Sequence, residues 1–143
     1  MKLPIRFLIA ATALLAGCSF AAASGAAFKI TAPGVELGKP EDSDAEIPKY
    51  RVKLNVGETV TLVAEGLVMP RGGGASPGDI DAGAWIFDDE AFKLVPAEKA
   101  KADKTKTVVA LTALKAGTTR VRFVGDILGR YHKYDVLIEV VGK

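Results

Sequence analysis

An all-β fold, a two-layer sandwich of about seven short strands, is what this 143-residue chain predicts. Three observations point to it. Apolar and polar residues alternate with a period of two, most clearly from Tyr50 onward. Glycine, proline and acidic turn signals recur between the alternating segments. No long segment carries the apolar repeat of an amphipathic helix.

The N-terminus stands outside that pattern. Lys2 and Arg6 are followed by an uncharged stretch from Phe7 to Ala16. A basic start, a short apolar core and small residues beyond it form the pattern of a secretory signal peptide. The apolar stretch falls short of the roughly 20 residues that span a bilayer. It ends in Leu15-Ala16-Gly17-Cys18, and Cys18 is the only cysteine. This run resembles the lipobox of bacterial lipoproteins, whose leader is cut just before a cysteine that carries a diacylglycerol. The resemblance implies a signal peptide over 1–17, a lipidated Cys18 with a tether through Ala27, and one domain over 28–143. A cut after Ala21-Ala22-Ala23 is the competing reading and would release a secreted protein. Ser19 in place of an aspartate implies, by resemblance to enterobacterial lipoproteins, an outer-membrane address, facing the periplasm or the surface.

Cleavage before Cys18 removes two of the 19 basic residues and leaves 17 against 17 acidic ones, a formal charge near zero. That balance gives no basic footprint for nucleic acid. One cysteine forms no disulfide within the chain, so the domain depends on its hydrophobic core.

The elements follow in order. Phe28-Lys29-Ile30 alternates and Pro33-Gly34 punctuates it. Gly38 to Pro48, with Glu41, Asp42, Asp44 and Glu46 between two prolines, reads as a solvated loop. Tyr50, Val52, Leu54 and Val56 alternate with Arg51, Lys53 and Asn55, and Gly57-Glu58 turns the chain. Val60, Leu62 and Ala64 mark the next strand. Gly66 to Gly83 is rich in glycine and proline and predicts a long loop. Ala84 to Phe87 is a strand, Asp88-Asp89-Glu90 a turn, and Phe92 to Val95 a strand. Glu98 to Lys106 is charged and fits a loop or a helical turn. Thr107 to Ala113 and Thr119 to Phe123 are strands around the Lys115-Ala116-Gly117 turn. Gly125 to Lys133 predicts a further loop, and Tyr134 to Val141 a last strand.

Two spans carry a recognisable pattern. Val56-Gly57-Glu58-Thr59-Val60-Thr61-Leu62 precedes Trp85, and Ala116-Gly117-Thr118 precedes Val121-Arg122-Phe123. Together they resemble bacterial Ig-like domains across about Tyr50 to Val141. The same spans resemble the chagasin-type inhibitors of papain-like cysteine proteases, Ig-like sandwiches with three inhibitory loops at one end. The family's Asn-Pro-Thr-Thr-Gly loop is replaced here by Gly78-Asp79-Ile80-Asp81-Ala82-Gly83. Its glycine-rich loop is replaced by the charged Glu98–Lys106, and its Arg-Pro-Trp loop by Asp126 to Tyr131. The scaffold matches and the inhibitory motifs do not.

These readings nominate side chains. Trp85 is expected in the core between two sheets, with an exposed ligand-stacking role as the alternative. Arg71, Asp79, Ile80, Asp81 and Gly83 form one candidate binding loop, since sandwiches carry function on their end loops. Arg130, Tyr131 and His132 form a second, Tyr and Arg being common interface anchors. The bland alternatives are a solvated insertion and an ordinary strand. Asp79, Asp81, Asp88, Asp89 and Glu90 lack the spacing of a calcium loop. His132 is the only histidine and has no cysteine partner for zinc. Ser24, Ser43 and Ser76 lack a nucleophile-elbow context. The sequence therefore predicts no catalytic residues, no cofactor and no metal. It predicts a protein partner, a cysteine protease being the alternative, and a membrane attachment through Cys18.

Overall fold

In the computed structural model, residues 25–38, 47–96 and 103–142 are described. The expected signal peptide and tether up to residue 24, with Cys18, most of the acidic loop and residues 97–102, lie outside the described residues.

Among the described residues nine strands form: β1 (Gly25–Thr31), β2 (Lys49–Asn55), β3 (Thr59–Met69), β4 (Ser76–Pro77), β5 (Ala82–Ile86), β6 (Phe92–Val95), β7 (Lys106–Ala113), β8 (Gly117–Ile127) and β9 (Arg130–Val141). One sheet runs β1-β3-β7-β6, with β4 on the end of β3, and the other runs β2-β9-β8-β5. β2 joins β9 in parallel, and every other pairing is antiparallel. In immunoglobulin lettering these orders are A-B-E-D and A′-G-F-C, which makes the fold an Ig-like β-sandwich.

The alternation read from the sequence drives the packing. Val60, Leu62 and Ala64 from β3 face Val121, Phe123, Val136 and Ile138 from the other sheet, all essentially without solvent contact. Phe28 and Phe123 meet edge to face with centroids 4.8 Å apart. Edge-to-face contact sets the positive ring edge on the negative ring face, adding about 1 kcal/mol to simple burial. Gly125 lies beside this pair. A Cβ built there would sit 2.6 Å from Phe123 and 2.7 Å from Phe28, so the aromatic contact requires glycine.

Four expectations need correction. β1 begins at Gly25, so Gly25 to Ala27 belong to the sandwich and not to a tether. The expected loop from Gly66 starts only after Met69 and is interrupted by β4, because β3 continues as partner of both β1 and β4. β5 begins at Ala82, so Gly83 is a strand residue. Gly125 to Lys133 is no loop: β8 runs through Ile127, Leu128-Gly129 turns, and β9 starts at Arg130. Cross-strand pairing from Gly125↔His132 to Ile127↔Arg130 overrides the local turn signal. The turn has positive φ at both central residues, 52° at Leu128 and 70° at Gly129. Such turns match the right-handed twist of the flanking strands.

Candidate functional site

The sandwich brings the sequence-nominated segments to one end. The β3–β5 connection, the described part of the β6–β7 connection and the β8–β9 turn all lie there. Asp81 donates its N–H to the Asp126 carbonyl at 2.9 Å, and Ile80 donates to the Lys104 carbonyl at 2.8 Å. Gly78 donates to the Gly66 carbonyl, and Gly66 to that of Thr105, both at 2.9 Å. These backbone bonds tie three segments distant in sequence into one surface. Asp103 adds a local clamp, its carboxylate accepting from the Thr105 N–H and hydroxyl at 2.9 and 2.6 Å. Those bonds hold the Asp103 carboxyl below its ordinary pKa.

Each nominated residue has a definite place. Arg71 sits in the exposed turn after Pro70. Asp79 and Asp81 are exposed beside the half-buried Ile80, and Gly83 lies on β5. Arg130, Tyr131 and His132 are strand residues, with Tyr131 62% exposed and the Lys133 ammonium 5.5 Å from its ring centre. Arg71 is the outlier, since no contact joins it to the bonded cluster around Ile80 and Asp126. Asp88, Asp89 and Glu90 lie in the β5–β6 turn, at the opposite end from Asp79 and Asp81. Among the described residues no group of three His, Cys, Asp or Glu side chains is placed to hold a metal ion.

Trp85 departs from a plain core role. It is half-buried on the edge strand β5, tilted over Phe123 with centroids 5.1 Å apart. Its indole N–H donates to the Thr107 carbonyl of the facing sheet at 3.0 Å. It therefore staples the two sheets along one flank.

His132 turns inward. Its ring meets Phe28 at 5.6 Å and stacks on Tyr134 at 6.4 Å. Nε2 is buried without a hydrogen-bond partner. Burial holds its pKa below the ordinary histidine value, Arg130 acts in the same direction, and Asp126 pulls it back up. The packed His132 ring therefore forms a wall of this end.

Two features escaped the sequence reading. Asp135 is 1% exposed although it lies on the outer face of its sheet. Arg122, directly opposite on β8, grips it with Nε at 2.7 Å and Nη2 at 3.1 Å, and Arg120 approaches to 4.0 Å. The pair raises the pKa of Arg122. The Arg120-Val121-Arg122 alternation was the available signal, but it names no partner. The second feature is a shallow groove of about 380 Å³ lined by Ala82, Gly83, Ala84, Val124, Gly125, Asp126 and Tyr131. Its floor is small residues, which carry no sequence signal.

No family model matches the chain, and no curated protein matches it. Solved structures similar to it include a chimeric titin Z1Z2 functionalized with a KLER exogenous peptide from decorin. That likeness has a TM-score of 0.43 at 10% identity, over 80% of this chain and 99% of the other. The titin M10–obscurin-like 1 Ig complex is another, with a TM-score of 0.38 at 15% identity, over 79% and 98%. These are likenesses of fold, and the Ig-like assignment itself rests on the strand order above.

Proposed function

We propose that this protein is a non-catalytic binding module of a bacterial cell envelope, lipid-anchored through Cys18, that engages a protein partner with the end carrying the β3–β5, β6–β7 and β8–β9 connections. The observation that carries the binding surface is the pair of backbone bonds joining Ile80 to Lys104 and Asp81 to Asp126. They join the β3–β5 connection, the described part of the β6–β7 connection and the end of β8 into one patch. The tip of that patch supports the reading. Leu128 holds a positive φ that L-residues other than Asn, Asp and Gly rarely adopt, and its side chain is 54% exposed. Strain kept at an exposed apolar residue is the kind of cost that function retains.

The anchor sharpens the geometry. Gly25 pairs with Met69 at this same end. The seven-residue step from Cys18 to Gly25 spans at most about 25 Å. With Cys18 lipidated, the loop end lies close to the membrane, and the partner is one that reaches its surface. Two tests apply. Incorporation of radiolabelled lipid into the full chain, lost in Cys18→Ala, checks the anchor. Photo-crosslinkers at Asp79 and Leu128, against a control at Lys115 on the far end, check the surface. A specific adduct from the first two positions alone is expected.

The placement of residues 78–83, 103–106 and 126–131 side by side also favours a second reading, inhibition of papain-type cysteine proteases. The missing inhibitory motifs count against it. Titration against papain decides it: inhibition at nanomolar concentration supports the reading, and none at micromolar concentration removes it.

A further inference from the structure

We infer that the open edge of β5, with the groove beside it, is a strand-addition site for an extended partner segment that alternates apolar and basic side chains. This rests on the reading of the protein as a binding module and names the class of partner.

The first observation is the edge. Among the described residues β5 ends its sheet and pairs only with β8, and residues 82, 83, 84 and 86 are exposed. An edge strand presents unpaired N–H and C=O groups that accept another strand. Natural edges are usually blunted by proline, lysine or inward charge. Ala82-Gly83-Ala84-Trp85-Ile86 holds none of these.

The second observation gives the charge of the occupant. Asp126 Oδ1 is buried at the groove without a hydrogen-bond partner. A buried carboxylate oxygen left unpaired is costly, so a cationic donor arriving there gains more than it would at a solvated acid. Asp126 lies opposite Ala82 across β8 and β5. A strand added to β5 would run two strand spacings, about 10 Å, from Asp126. Bridging that gap takes a long basic side chain, and the methyl groups of Ala82 and Ala84 leave its path open. Tyr131, whose ring already carries the Lys133 ammonium, walls the far side.

The third observation gives the other half of the pattern. β6 closes the facing sheet on the same flank. Leu94 pairs with Leu111, which is fully buried in the core, yet Leu94 is 51% exposed. An added strand presents alternate side chains to opposite faces. A basic residue outward toward Asp126 leaves the inward positions to apolar side chains, and those further along the added strand run toward Leu94, which lies level with Leu111 and not with the Thr107 beside Gly83. A second copy of β5 offers no basic residue and leaves Asp126 unpaired.

The test follows amide hydrogen exchange in the full chain during titration with a nine-residue peptide of alternating valine and threonine carrying one central lysine. The same peptide with glutamate in that place is the control. Slower exchange across Ala82–Ile86 with the lysine peptide only is expected, with affinity reduced at least tenfold in Asp126→Asn and lost in Ala84→Lys. Thermal melts confirm that both variants are folded. Unchanged β5 exchange, equal binding of the two peptides, or β5 protection that grows with protein concentration alone overturns the inference. If crosslinks from Leu128 persist in that case, only the edge assignment falls. If they are absent as well, the binding-module reading falls with it.

Discussion

Asp135 and Asp126 stand on the same outer face of the same sheet, and their surroundings could hardly differ more. Asp135 is almost fully buried and held by both nitrogens of an opposing Arg122 fork. Asp126 has a buried Oδ1 with no hydrogen-bond partner among the described residues. Register makes the difference. Asp135 faces Arg122 directly, whereas Asp126 faces Tyr131 on one side and Ala82 on the other. The first carboxylate is part of the structure, and the second is an unfilled valence at the end where the connections converge.

The largest expected effect tests the first half of that comparison. Arg122→Ala leaves Asp135 buried with only the distant Arg120, at 4.0 Å, as counter-charge, which costs about 3 kcal/mol in urea unfolding. Replacing both residues by leucine recovers most of that loss, because no charge then remains buried. A cost below about 1 kcal/mol for Arg122→Ala would make Asp135 as dispensable as a surface ion pair. Gly125→Ala comes next. Its new methyl overlaps the rings of Phe123 and Phe28, and a loss of about 2 kcal/mol is expected. Leu128→Asn works in the other direction. It relieves the left-handed backbone and stabilises by about 1 kcal/mol, while weakening any partner that uses the leucine. Asp126→Leu is expected to leave stability unchanged or slightly raised, since it removes an unpaired group. A clear loss there would collapse the distinction between the two carboxylates.

The smallest effect is a pH dependence at His132. Its folded pKa lies below the unfolded value of about 6.5, so the unfolded chain takes up the proton first as the pH falls. Its contribution is therefore neutral above that pH and becomes destabilising as the pH drops toward the folded value. Comparing Tm at pH 7.5 and 5.5 should show a decline that His132→Phe reduces. Asp126→Asn should steepen it, because that carboxylate holds the His132 pKa up.

Much of the sandwich was legible in the residues. Val52 with Leu54, Val60 with Leu62, and Val136 with Ile138 obey a period of two, and a half-buried strand needs nothing more to declare itself. The segment Gly125 to Lys133 was misread because Gly125 and Gly129 look like punctuation. Gly125 is small in order to seat two rings, and only Gly129 turns the chain. Residues 79–83 and 126–131 were nominated by loop-like composition. Several proved to be strand, and what joins them is hydrogen bonding between segments.

By itself, the sequence determined the alternating strands, the all-β class, the dependence on a core without intrachain disulfides, and the basic-then-apolar stretch that precedes Cys18. These depend on local periodicity and on residue types, which a linear string contains. Tertiary structure alone decided that Asp135 would be clamped and Asp126 Oδ1 left without a partner, that Trp85 would staple the flank, and that β5 would lack an outer neighbour among the described residues. Those outcomes depend on which strands pair and in what register, and a one-residue shift would turn every side chain to the opposite face.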